Sequence, residues 1–166
     1  MDDFNIAAPD NLSDSIKTSL RAIASRAPGP SHDWVLIGSM AARLVGADIE
    51  PEDVDIVASR FTIQAFLDAF GLAAGQRAGH PQFRSVIFKR ANIKDGLPIE
   101  FMGDMTLMRE NARTPFQTKT RFPVTGDFGT VFVPSVEEQI SILRRFGRGK
   151  DLARVPLLQA VLDQQS

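Results

Sequence analysis

Cysteine and tyrosine are absent from the 166 residues, tryptophan occurs once, and His32 and His80 are the only histidines. Without cysteine there is no disulfide framework and no thiol nucleophile, and two histidines alone do not build a structural zinc site. A chain without cysteine is compatible with a reducing cytosol. Apolar runs long enough to span a bilayer are also missing. The opening "MDDFNIAAPD" is acidic and broken by proline, the opposite of a signal peptide's basic and apolar regions. A cytoplasmic protein without a membrane part is expected. Nor does charge lean one way: 19 basic against 20 acidic residues give a net charge of -1, so bulk electrostatics do not mark a nucleic-acid binder. There is no GxGxxG and no Walker-type GKS, which removes the common dinucleotide and P-loop sites.

What is present alternates between helix and strand patterns. Asn11 to Ala27 reads as an amphipathic helix with Ser13 as N-cap and Ile16, Leu20 and Ile23 inward. A short strand, Asp33 to Ile37, leads into a helix from Ser39 to Val45. Val54 to Ala58 reads as a strand, and Thr62 to Phe70 as a helix stopped by Gly71. Phe83 to Arg90 and Leu97 to Met102 read as strands joined around an Asp95-Gly96 turn. No element is assigned between Met102 and the strand in "TGDFGTVFVP". Pro134, taken at the first helical position, opens a helix to Phe146, and a last helix runs from about Lys150 to Asp163. Length and pattern together give a single α/β (α+β) domain, a mixed sheet flanked by helices, with core at about 31–133 and C-terminal helices at about 134–163. Trp34 and the twelve phenylalanines read as core, and His80 as a loop residue. The basic clusters "FRSVIFKRANIK" and "LRRFGRGKDLAR" taken alone read as solvated faces.

Within the strand pattern, Asp53 and Asp55 share a face while Val54 and Ile56 point into the core. Two such carboxylates repel unless one takes a proton or both share a cation, and hard divalent ions favour oxygen ligands of this kind. A D-x-D alone is better explained by acids in water at a strand edge. Gly38-Ser39, where a strand opens into a helix, offers backbone N–H groups and a hydroxyl, and taken alone is equally an ordinary capped turn. Glu100 interrupts the apolar strand "LPIEFM", a costly place for a charge without a partner or a metal, though taken alone it is equally an outward-facing glutamate on a half-exposed strand. Asp104 is a weaker candidate for the same role.

In conjunction, Gly38-Ser39, Asp53-Val54-Asp55 and the later strand acid Glu100 resemble the signature of the polymerase-beta-type nucleotidyltransferases. The resemblance spans about Asp33 to Met102. It implies a nucleotidyltransferase fold, a nucleoside triphosphate bound at Gly38 and Ser39, and two Mg2+ ions held by Asp53, Asp55 and Glu100. Arg43, on the Gly-Ser helix, would supply a cation where the loop "IEPE" is acidic. The segment "VPSVEEQISILRRFGRGKDLARVPLL" resembles the tail of small bacterial proteins related to the AbiEii-like abortive-infection toxins. There, Arg148, Lys150 and Asp151 match a segment that opens the final helix and faces the nucleotide, and a cognate antitoxin-like partner is implied. The implied activity is Mg2+-dependent transfer of a nucleoside monophosphate to a hydroxyl on a protein, an RNA end or a small molecule. The alternative is a catalytically silent nucleotide-binding or partner-binding module of the same fold.

Overall fold

A computed structural model of the chain describes residues 5–29, 33–73, 75–79 and 82–165. His32 and His80, and so the reading of His80 as a loop residue, lie outside them. The elements in chain order are β1 (Ile6–Ala7), α1 (Asp14–Arg26), β2 (Val35–Ile37), α2 (Gly38–Leu44), β3 (Val54–Ala58), α3 (Arg60–Ala69), β4 (Gln76–Gly79), β5 (Phe83–Ala91) and β6 (Ile99–Gly103). They continue with β7 (Thr106–Arg109), β8 (Ala112–Pro115), β9 (Phe122–Gly126), β10 (Gly129–Val133), α4 (Val136–Phe146) and α5 (Gly149–Gln165).

The main sheet has the order β2-β3-β6-β5-β7-β8, with β4 also on β5, and a smaller sheet has the order β1-β9-β10. The β3–β6 pair is parallel, while β2–β3, β5–β6, β5–β7 and β7–β8 are antiparallel. This is the mixed α/β architecture read from the pattern. Period-two alternation sends one set of strand residues to each face. Leu36, Val54, Ile56, Ile99 and Phe101 enter a core shared with Ile16, Leu20 and Ile23 of α1 and Ile63, Phe66 and Leu67 of α3. Trp34 lies in the same core, edge-on to Phe66 and Phe132. On the other face, Val35, Ile37 and Val57 pack against Ile142 and Phe146 of α4. Helices α4 and α5 join through Ile140, Leu143, Leu158 and Val161. No helix among the described residues is long and apolar enough to cross a membrane.

Local signals explain most boundaries. Ser13 Oγ accepts from the Ile16 N–H at 3.3 Å, capping α1 as expected. The Asp95-Gly96 turn joins β5 to β6, with Asp95 at φ 62 and the Gly96 N–H donating to the Ile93 carbonyl. Pro134 is a correction, because it precedes α4 instead of opening it. Ser135 is the N-cap, its Oγ accepting from the Glu138 N–H at 3.1 Å. A capping hydroxyl satisfies one of the free N–H groups at a helix start, which proline at the first position cannot do. The unassigned stretch after Met102 holds the β7–β8 hairpin and β9. That hairpin turns through Glu110 and Asn111, both at positive φ, a geometry more usually signalled by Asn-Gly.

Candidate active site

The strand register brings the three acids together. Asp55 lies beside Glu100 across the parallel β3–β6 pair, and Asp53 precedes β3 by one residue. One carboxylate oxygen from each of Asp53, Asp55 and Glu100 lies within 4.8 Å of the other two. Asp55 is the deepest: its Oδ1 is buried without a hydrogen-bond partner among the described residues. Burial, then the charges of Asp53 and Glu100 and a hydrogen bond shared with Glu100, hold its carboxyl well above the usual carboxylate range. Asp53 is also raised, by burial and by Glu100, with Arg90, Lys150 and Arg154 pulling the other way.

Ile37 stands opposite Asp55 in the β2–β3 pair, so Gly38 begins α2 directly beside the acids. Its φ is +72, and a Cβ built there would lie 3.0 Å from Asp55 Oδ2. The positive φ favours glycine, and a side chain there would also press on the Asp55 carboxylate. A cleft of about 750 Å³ contains the acids together with Gly38, Ser39, Arg148, Lys150 and Asp151. Phe83, Phe88, Met102, Met105 and Phe146 give the same cleft an apolar part of its lining.

The C-terminal residues divide in role. Asp151 is fully buried and accepts from Arg148 three times, from Nε at 2.6 Å, Nη2 at 3.0 Å and the backbone N–H at 3.2 Å. It therefore caps the start of α5 and fixes the Arg148 guanidinium, which also lies 4.7 Å from the Phe83 ring centroid. Lys150 is exposed on the cleft wall with no hydrogen bond or ion pair among the described residues.

Two candidates are not brought to the acids. Arg43 Nη2 donates to the Asn11 side chain at 2.9 Å and to its carbonyl at 3.2 Å, outside the cleft lining. As the sixth residue of α2 it lies beyond the helix start, and it ties the segment before α1 to α2 instead. Asp104, at φ 49 just past β6, accepts from the Arg60 N–H at 3.1 Å at the start of α3, at the opposite end of β6 from the acids.

Sequence reasoning missed Arg90 and Arg154. Arg90 Nη1 lies 2.8 Å from Glu100 Oε2 and 3.9 Å from Asp53 Oδ2. A signal for Arg90 was present, since it and Glu100 stand five residues on either side of the Asp95 turn and therefore pair. Arg154, one turn after Lys150 on α5, faces the same cleft. Glu50 and Glu52 of the acidic loop line it too.

The three carboxylates suit a hard divalent cation. An oxygen ligand set, a buried carboxylate oxygen lacking a donor and an excess of negative charge are each relieved by one.

No protein-family model matches the sequence, and no curated protein matches it. Among solved structures, a candidate nucleotidyltransferase of Thermotoga maritima is similar with TM-score 0.68 at 22% identity, over 88% of this chain and 91% of that one. An antigenic nucleotidyltransferase-like protein of Paracoccidioides brasiliensis gives TM-score 0.55 at 17% identity, over 92% of this chain and 77% of that one. A lincomycin-bound lincosamide antibiotic adenylyltransferase overlaps with TM-score 0.46 at 14% identity, over 77% of this chain and 86% of that one. The fold is that of nucleotidyltransferases.

Proposed function

We propose that the whole chain is one nucleotidyltransferase domain that uses a nucleoside triphosphate and divalent cations to nucleotidylate a hydroxyl acceptor. The observation that carries this reading is the convergence of Asp53, Asp55 and Glu100 around the unpartnered Asp55 oxygen, next to Gly38-Ser39. The shared fold supports it.

In this reading Asp53 and Asp55 hold two Mg2+ ions and Glu100 completes the ligand set. Bound there, divalent cations neutralise the phosphates and lower the pKa of a hydroxyl. Ser39 and the backbone N–H groups beside it meet the triphosphate, and Lys150 adds a mobile charge where pyrophosphate departs. Arg148, clamped by Asp151, contributes a fixed one. The acceptor oxygen attacks the α-phosphorus, the bond to the bridging oxygen breaks, and the acceptor's proton passes to Glu100. The protein mainly positions and neutralises, since phosphoryl chemistry asks little covalent work of it. The acceptor is a protein, an RNA end or a small molecule.

Incubation with each α-labelled nucleoside triphosphate and Mg2+ tests the reading, with transfer scored on the protein itself, RNA and lysate components. Transfer by the wild type and none by Asp55→Ala supports the site, whereas equal transfer by both refutes it. Metal-dependent nucleotide binding with no transfer to any acceptor would favour the silent module. The tail's resemblance to abortive-infection toxins adds one expectation. Expression of the wild type, but not of Asp55→Ala, should slow bacterial growth unless an antitoxin-like partner is supplied.

A further inference from the structure

Arg90 is the one side chain whose positive charge reaches the acid cluster within ion-pair distance among the described residues. It is placed there by register. Arg90 faces Glu100 across β5–β6, so the guanidinium crosses one strand spacing to reach Glu100 Oε2 at 2.8 Å and approaches Asp53 Oδ2 at 3.9 Å. Its side chain is 47% exposed, so it can swing into water without breaking the core. The three acids carry up to three negative charges, and one guanidinium offsets only one of them. The Asp55 Oδ1 atom is left out of that pairing altogether.

Resting on the metal-site reading above, we propose that Arg90 is a resident counter-cation of the acid cluster. It shields Glu100 and Asp53 in the metal-free chain, and a divalent cation must displace it to bind. Two cations cannot share the same carboxylate oxygens at hydrogen-bond distance without strong repulsion. Arginine suits the part, because its guanidinium stays charged at any physiological pH and pairs well with carboxylates, while its long stem lets it leave. Metal affinity is thereby held down, and part of the metal's binding energy goes into releasing Arg90. Glu100 becomes available as a ligand and proton acceptor only once the arginine has moved.

The test is a titration of Mn2+ alone, without nucleotide, into the full chain, followed by paramagnetic resonance of the free ion and by the metal-induced rise in melting temperature. Wild type, Arg90→Gln, Arg90→Lys and Asp55→Ala are compared, with circular dichroism confirming that each is folded. Removing the charge in R90Q should tighten Mn2+ binding about tenfold and enlarge the melting shift, a partly exposed pair being worth far less than a dry one. R90K keeps the charge and should stay near the wild type. A gain in affinity is not what a merely structural loss produces. Equal or weaker Mn2+ binding by R90Q, with binding still abolished in D55A, overturns the role of Arg90 and leaves the metal site standing. Mn2+ binding by D55A equal to that of the wild type, or none by either wild type or R90Q, overturns the metal site and this inference with it.

Discussion

Asp33 and Asp55 sit at opposite ends of the same pair of strands and are treated in opposite ways. Asp33, just before β2, is exposed, yet it receives the Ser59 N–H at 3.0 Å, the Thr62 hydroxyl at 2.7 Å and the Ser59 hydroxyl at 3.5 Å. Desolvation works against its charge, but the hydrogen bonds from Thr62 and Ser59 outweigh it and hold the carboxyl below the usual range. Asp55 is enclosed with two other acids and leaves Oδ1 without a donor among the described residues. One carboxylate is provided with all its donors by the fold and strengthens the start of α3. The other is kept short of partners, at a cost in stability, which is the difference expected between a ligand site of the kind proposed above and a structural cap.

The sharpest way to break the comparison is by activity. On the proposed function, Asp55→Asn should lower nucleotide transfer roughly a thousandfold, since a lost metal-ligand charge would be worth several kcal/mol in the transition state. Asp33→Asn should leave transfer within a few-fold of the wild type, as measured with the same labelled triphosphate. Next in size is Gly38→Ala. Left-handed backbone costs a side chain about 1–2 kcal/mol, and the new methyl meets Asp55 Oδ2 at 3.0 Å. Chemical denaturation should show that loss, along with impaired transfer.

Stability then separates the two aspartates by sign. Asp33→Ala should cost about 1 kcal/mol through the lost α3 cap bonds. In metal-free protein, Asp55→Asn should raise the melting temperature, because it removes a like charge from a crowded, desolvated cluster while keeping the shape. If both substitutions destabilise equally, the contrast drawn between the two sites is false.

How far the sequence reveals these features depends on whether the signal is local. The strand Val54–Ala58, the Ser13 cap and the Asp95-Gly96 turn follow from residues a few positions apart. The convergence of Asp53, Asp55 and Glu100 needed a β3–β6 pairing that periodicity alone does not specify, and the family resemblance suggested it. The β7–β8 hairpin was illegible because Glu110-Asn111 is an unusual turn pair. Arg43 was misplaced because a helix position names a face without naming a partner, and Asn11 lay 32 residues away. Arg90 had read as part of a solvated cluster, when only the register through Asp95 shows that it meets Glu100.

The smallest effect, and the one that tests the electrostatics most directly, is the pH dependence of metal-free stability. Asp55 is raised in the folded chain from its ordinary 3.8, so between that value and its native one the folded state binds more protons than the unfolded state. Stability therefore falls as pH rises through that window and is regained on acidification. Asp33 is lowered from 3.8, so its contribution is present above 3.8 and is lost as pH falls through the native value. Melts in chelator should thus rise as pH falls through the raised native range of Asp55 toward 3.8 and then fall, and D55N should shrink the rising limb, leaving the part due to Asp53, while keeping the acid fall. Saturating Mn2+ should reverse the rising limb, because a cation bound to carboxylates competes with protons and its stabilisation shrinks as pH drops. A rising limb of the same height in D55N would mean that the strain in the cluster does not reside at Asp55.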